Sequence, residues 1–232
     1  MSLAADPNML AGVAERALAE LPKTACRVGL GTGRAAEAFI VRLARAVREG
    51  LDVVGVPTSE RSDKLARAEG IRLGSLDEGP LDVAFDGADE VDARLRLTKG
   101  LGGAMLRERV VAAEASRFVV LVTAEKVVDR LGARSPLPVE VVPFALAPAS
   151  RRLEQLGERA VLRKKPDGGA PFVTDNGNLV VDLYSGPGGW EDPEALDADV
   201  RRVPGVVDTG FFFRMASLVI VGGAEGTRVM RG

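Results

Sequence analysis

Cys26-Arg27-Val28-Gly29-Leu30-Gly31-Thr32-Gly33-Arg34-Ala35-Ala36 runs from a short apolar segment, through glycines, into a helical pattern. The apolar residues Cys26 to Leu30 read as a buried strand. Ala35 to Glu49 reads as a helix, because Phe39, Leu43 and Val47 recur every four residues and Gly50 supplies a C-terminal stop. Glycines between a strand and a helix let the backbone approach an anion closely. The N–H groups that open the helix supply donors and a positive dipole end, and Thr32 adds a hydroxyl. Gly31, Gly33 and Ala36 also fit the dinucleotide pattern G-x-G-x-x-A, but that fold needs an acid at the carboxyl end of the second strand. Here that end reads Gly55-Val56-Pro57-Thr58-Ser59, and Asp52 stands at the other end. A lone phosphate suits the segment better than NAD.

Outward from this unit the alternation continues. Upstream, Asp6-Pro7 reads as the N-cap and first residue of a helix reaching about Leu21. Downstream, Val53 to Val56 is a strand, Ser59 to Ala68 a helix closed by Gly70, and Leu81 to Phe85 a strand. A helix from about Gly103 to Ala115 then leads into the strand Phe118 to Thr123. Strands alternating with helices imply parallel pairing through right-handed crossovers: an open, mostly parallel, Rossmann-like α/β sheet. Its ligand cleft is expected at the carboxyl ends of the strands.

Past Leu131 the pattern changes, punctuated by Pro136, Pro138, Pro143 and Pro148. Val139 to Val142 is a strand, about Ala149 to Leu156 a helix, and Ala160 to Lys164 a strand. A hairpin around Asp175-Asn176-Gly177-Asn178 precedes the strand Leu179 to Tyr184, and Asp192-Pro193 opens a further helix. This succession predicts a small α+β, ferredoxin-like domain over residues 132–205. It would be inserted in an α/β domain formed by residues 1–131 and 206–232, whose last strand is Leu218 to Val221.

Composition narrows the chemistry. The 232 residues contain no histidine and one cysteine, Cys26. Histidine-dependent hydrolysis, an internal disulfide and a thiolate zinc site are therefore excluded, and proton transfer falls to Asp, Glu, Lys or the single Tyr184. With 31 basic and 33 acidic residues there is no basic field for nucleic acid or an anionic membrane. No secretory leader or membrane span is visible, and a cytoplasmic location is the expectation.

Two further segments carry candidate chemistry. Asp86-Gly87-Ala88-Asp89-Glu90-Val91-Asp92 places four carboxylates within seven residues directly after an apolar strand. Gly87 and Ala88 add no bulk at the strand's carboxyl end, so Asp86 and Asp89 are candidates to meet a cation or hydroxyl donors, although the spacing is not that of an EF-hand loop, while Glu90 and Asp92 are as well explained by structure. Lys99-Gly100-Leu101-Gly102-Gly103-Ala104-Met105-Leu106-Arg107-Glu108 leads from a lysine through a glycine run into a helix with an acid in its second turn. Leu106, Val110 and Ala113 are expected to form that helix's core stripe, with Glu108 on the face of Met105 and Ala112. Small apolar neighbours there could desolvate Glu108 as a general base requires, although periodicity alone favours a solvated glutamate flanked by Arg107 and Arg109.

Together and in this order, the three segments resemble the type A ribose-5-phosphate isomerases. That family's loops read GTGST, DGADE and KGGGGALxREK; this chain has Gly31-Thr32-Gly33-Arg34-Ala35, Asp86-Gly87-Ala88-Asp89-Glu90, and Lys99 to Ala104 with Arg107-Glu108-Arg109. Glu125-Lys126, Leu137-Pro138-Val139-Glu140-Val141 and Gly205-Val206-Val207-Asp208-Thr209-Gly210 resemble later family segments. Arg34-Ala35 departs from Ser-Thr, removing two hydroxyls, and Leu101 replaces a glycine. The resemblance implies interconversion of ribose 5-phosphate and ribulose 5-phosphate in the pentose phosphate pathway, with no metal or organic cofactor, by a homodimer. By it, Glu108 moves the proton, Lys99 stabilises the oxyanion, and Asp86 assists ring opening. Thr32, Gly33, Arg34, Ala35, Asp86, Gly87, Ala88, Asp89, Lys99, Gly100, Leu101, Gly102 and Lys126 face the pentose 5-phosphate. A sugar-phosphate sensor could share this sheet, but such proteins carry a DNA-reading appendage, and here only one helix precedes the α/β pattern.

Overall fold

A computed structural model describes residues 7–232. In chain order the elements begin α1 (Pro7–Leu18), β1 (Cys26–Leu30), α2 (Arg34–Arg48), β2 (Val53–Pro57), α3 (Glu60–Ala68), β3 (Val83–Gly87), β4 (Glu90–Val91) and β5 (Leu97–Thr98). They continue as α4 (Met105–Ala113), β6 (Phe118–Thr123), β7 (Leu137–Val141), α5 (Leu146–Leu153), β8 (Arg159–Leu162) and β9 (Leu179–Tyr184). The last are α6 (Pro193–Arg201), β10 (Val206–Thr209), β11 (Phe211–Phe212), β12 (Leu218–Gly223) and β13 (Gly226–Met230). Contacts divide the chain into two compact units.

The first unit comprises the chain up to Ala88, Arg107–Val127 and Arg214–Gly232. Its sheet has the order β13-β12-β6-β3-β1-β2, parallel throughout except for the antiparallel pair β12–β13. Strand alternation sorts its side chains. Val28, Leu30, Val83, Phe85, Val119, Leu121 and Ile220 join Val13, Phe39, Ile40 and Leu43 of α1 and α2 in one core. Each such side chain contributes about 1.5–3 kcal/mol by burial. The Phe39 and Phe85 rings stack at 4.2 Å. Gly29 and Ala84 fall on the opposite face by alternation, and α4 lies there: a Cβ on Gly29 would sit 2.6 Å from Cγ1 of Val111.

Several boundaries differ from the sequence reading for identifiable reasons. Asp6, the expected cap of α1, lies outside the described residues. α1 stops at Leu18 rather than about Leu21, because Ala19, Glu20 and Leu21 donate to carbonyls three residues back in a tighter turn before Pro22. β3 runs on through Asp86-Gly87, so the acidic segment begins on the strand and not in a loop. α5 starts at Leu146, with Pro148 in its first turn, where a missing N–H costs nothing. The chain does not end its sheet with Leu218 to Val221: Gly223 and Gly226 close a hairpin onto β13, an exposed edge strand with too little apolar pattern to announce itself.

The second unit comprises Asp89–Leu106 and Val128–Phe213. Its main sheet, order β10-β7-β9-β8, is antiparallel throughout, and the chain order β7-α5-β8-β9-α6-β10 makes it the expected ferredoxin-like fold. Leu137, Val139, Val141, Val181 and Leu183 pack with Ala149, Leu153 and Val200 of the two helices. Asp192 caps α6, accepting from the Ala195 N–H at 3.0 Å. A second sheet, order β11-β5-β4, is made of strands two residues long. Through it residues 89–106 and 206–213 belong with this unit, whereas the expected boundaries at 131/132 and 205/206 assigned them to the first. Strands this short leave no hydrophobic run to read.

Cys26 tests the packing of the first unit. Burial, with the Asp82 and Asp52 carboxylates nearby, pushes its thiol up to about 11. At pH 8 the native protein is expected to leave a disulfide reagent unreacted until denaturant is added. Rapid labelling of the native protein would contradict the packing.

Candidate active site

In the first unit the candidate residues gather where β1 and β3 end. A Cβ on Gly31 would lie 2.2 Å from Oδ1 of Asp86, so only glycine lets the two strand ends pass. Gly31 donates to the Phe85 carbonyl at 2.9 Å, and the Thr32 N–H donates to Asp86 Oδ1 at 2.9 Å. The Gly87 N–H donates to the same oxygen at 2.7 Å. Asp86, 2% exposed, is thus a carboxylate fixed by the glycine turn and by its own strand end. Asp86 and Ala84 share a side of the sheet by alternation, which is the α4 side.

The Thr32 hydroxyl has partners that the sequence reading did not identify. It lies 2.8 Å from the hydroxyl of Thr58 and 2.7 Å from that of Ser59, which also caps α3. The Thr58-Ser59 pair stands at the strand end where a ribose-binding acid is absent, and its hydroxyls border the glycine turn. α2 is preceded by Gly33, which has no side chain to cap it, so the amides of Arg34 and Ala35 open the helix uncapped. Arg34 is exposed. Lys126 is half-buried in the turn Ala124–Lys126 that follows β6.

On α4 the expected core stripe is not the buried one. Val110 is 43% exposed and Ala113 is exposed, whereas Met105, Val111 and Ala112 are buried and Glu108 is only 4% exposed. The inward face therefore follows Met105, Glu108 and Ala112, with Val111 beside them, because the glycine and alanine of the sheet beneath leave room for side chains of that size. Val111 rests on Gly29 in mid-strand, so Glu108, one turn nearer the helix N-terminus, lies toward the carboxyl ends of the parallel strands. That is the end occupied by Thr32 and Asp86. Glu108 is the buried acid of an otherwise apolar helix face.

The second unit carries Asp89, Lys99 and the glycine turn. Asp89 is half-buried, its N–H donates to the Thr98 carbonyl at 2.7 Å, and its Oδ2 accepts from the Leu101 N–H at 2.9 Å. Lys99 is 2% exposed; its N–H donates to the Gly210 carbonyl at 2.8 Å and its Nζ stands 5.5 Å from the Phe212 ring centroid. Gly100 is buried, while Leu101 and Gly102 are exposed. The other two acids of the segment are structural. Glu90 accepts from the N–H groups of Gly132, Arg134 and Ser135 at 2.5, 2.6 and 3.0 Å. Asp92 accepts from the Arg94 and Arg96 N–H groups and pairs with the Arg96 guanidinium at 2.6 Å. Among the described residues no cluster of three or more acidic or cysteine side chains is arranged to hold a metal ion. No described helix is long and apolar enough to cross a membrane.

Comparison with known proteins points one way. The family described as ribose 5-phosphate isomerase A (phosphoriboisomerase A) matches residues 54–226. A ribose-5-phosphate isomerase A of Roseiflexus castenholzii is 53% identical over 216 residues, covering 92% of this chain and 91% of its own. The solved ribose 5-phosphate isomerase A of Methanocaldococcus jannaschii superposes with a TM-score of 0.91 at 38% identity, covering 97% of this chain and 99% of its own. A D-ribose-5-phosphate isomerase solved in complex with phospho-erythronic acid gives 0.92 at 36% identity, covering 97% and 98%.

Proposed function

The chain belongs to the ribose 5-phosphate isomerase A family of aldose–ketose isomerases, and on that premise we propose that it interconverts D-ribose 5-phosphate and D-ribulose 5-phosphate through an enediolate, with Glu108 as general base. The observation that carries this reading is the buried Glu108 carboxylate, on the same side of the sheet as Asp86 and toward the strand ends that bear the glycine turn.

In this scheme the phosphate is held by the uncapped amides of Arg34 and Ala35 and by Thr32, whose hydroxyl is oriented by Thr58 and Ser59. These neighbouring hydroxyls offset the loss of Ser-Thr to Arg34-Ala35. Asp86, locked by two amides, assists ring opening, and Asp89 and the amides of the Gly100–Gly102 turn bind sugar hydroxyls. Glu108 removes the C2 proton; the electron pair moves between C2 and C1 as the carbonyl oxygen takes negative charge. Lys99 stabilises that oxygen. The proton on Glu108 then returns to C1, and the hydroxyl proton passes from O2 to O1, leaving the ketose. Lys126 adds positive charge.

A relative's complex with phospho-erythronic acid supports this division, because that molecule carries a phosphate at one end and a carboxylate resembling the enediolate at the other. The same reading includes the pentose phosphate pathway, a cytoplasmic location and a homodimer. It is tested by mixing the protein with ribose 5-phosphate and following ketose. The expected result is one equilibrium mixture reached from either sugar phosphate, and no ketose above the uncatalysed rate would contradict it.

A further inference from the structure

The glycine turn after Lys99 is held by the hairpin of β8 and β9, which the chemistry above does not use. Arg163 follows β8 and its side chain is 11% exposed. Its Nε donates to Asp182 Oδ2 at 2.9 Å and its Nη2 to the other oxygen of the same carboxylate, a two-pronged pair on β9. Its Nη1 reaches the Gly100 carbonyl at 2.8 Å and the Leu101 carbonyl at 3.1 Å. The Phe172 ring adds a wall: a Cβ on Gly103 would lie 2.3 Å from it, and the Arg163 guanidinium stands 5.9 Å from its centroid.

Asp89 grips the opposite edge of the same peptide. Its carboxylate takes the Leu101 N–H, while Arg163 takes the Gly100 C=O. In a trans peptide those two bonds point in opposite directions, and no cis peptide occurs among the described residues. The Gly100–Leu101 unit is therefore pinned at both ends against rotation. Because the Leu101 carbonyl also accepts from Arg163, the Gly102 N–H is turned away from the guanidinium. The Gly103 N–H also donates to the Gly100 carbonyl at 2.9 Å and closes the turn, but the Leu101 carbonyl is oriented by Arg163, and glycines on either side leave that peptide with little preference of its own.

We infer that Arg163 is a positioning residue for the isomerase: locked on Asp182, it fixes the Gly100–Leu101 peptide so that the turn after Lys99 presents amides, and not carbonyls, on the Asp89 side. This rests on the isomerase reading. A carbonyl flipped to that side would repel a developing enediolate, so the effect falls on turnover more than on phosphate affinity.

The test compares Arg163→Gln and Arg163→Lys with the wild-type protein. R163Q is expected to lower kcat/KM about 10- to 100-fold, mostly through kcat, as small displacements of substrate-orienting groups do. Inhibition by phospho-erythronic acid should weaken by a similar factor, while competition by inorganic phosphate stays at the wild-type level. R163K should recover only part of the loss, since an ammonium cannot reproduce a planar fork and two carbonyl contacts together. If R163Q does not fold, R163K and Asp182→Asn, read in the same three assays, decide. Unchanged kinetics and inhibition in folded variants would overturn the inference, as would parallel weakening of both inhibitors, which marks a general structural brace. An inactive wild-type protein overturns the isomerase reading and this inference with it, whereas an active wild type with unaltered variants overturns this inference alone.

Discussion

Glu108→Gln is expected to lower kcat about 10²–10⁴-fold while ribose 5-phosphate still binds, because the amide keeps the shape of the side chain and cannot take a proton. The variant is also expected to stay folded. Glutamine matches the volume of the buried Glu108 side chain, so the packing beside Met105, Val111 and Ala112 is kept. Kinetics and thermal melting together separate the outcomes. A cooperative melt of the variant with turnover gone supports the base, and turnover within a few-fold of wild type would remove Glu108 from that role.

Lys99→Met is expected to cost about 10²–10³-fold in kcat, the range seen when one stabiliser of a developing oxyanion is lost. An ammonium 2% exposed beside the Phe212 ring is screened by little water, so its charge acts strongly on an oxygen that becomes negative near it. Methionine fills the same slot without the charge, so the substitution removes the electrostatics and leaves the packing. KM is expected to change far less than kcat, because charge on the sugar oxygen develops only in the transition state. An equal rise in KM with kcat unchanged would show that Lys99 serves ground-state binding instead.

The two compact units differ in how openly the sequence declares them. Strands such as Phe118–Thr123 are apolar on both faces, and the 3.6-residue rhythm of Phe39, Leu43 and Val47 is strong, so the parallel sheet and its glycine turn are legible from residue order alone. The ferredoxin-like succession is legible for the same reason, with Asp192-Pro193 marking α6. What escapes is set by tertiary context. Leu106, Val110 and Ala113 make a plausible stripe on α4, but Gly29 and Ala84 beneath the helix leave room for Val111 and its neighbours, and Glu108 is buried with them. The sheet β11-β5-β4 consists of residue pairs, too short for any period, yet it is what carries Asp89 and Lys99 into the second unit.

Side-chain partnerships across long separations are invisible for another reason. Asp86, Asp89, Lys99 and Glu108 stand in segments whose odd composition draws attention: clustered acids, a lysine before glycines. Arg163 sits in an ordinary basic stretch, and nothing local links it to Gly100, 63 residues away, or to Asp182, 19 residues on. Thr58 and Ser59 likewise read as a strand end and a helix cap until the Thr32 hydroxyl is found between them.

Isotope transfer in heavy water reaches the central claim most directly. Ribose 5-phosphate incubated in D2O with the wild-type protein is expected to yield ribulose 5-phosphate carrying solvent deuterium at C1, seen by proton NMR, since a carboxylic acid that has taken the C2 proton can exchange it before delivery. The E108Q protein, bound to the same sugar, is expected to show neither ketose nor loss of the C2 proton signal. Exchange by E108Q at close to the wild-type rate would mean that another group moves the hydrogen.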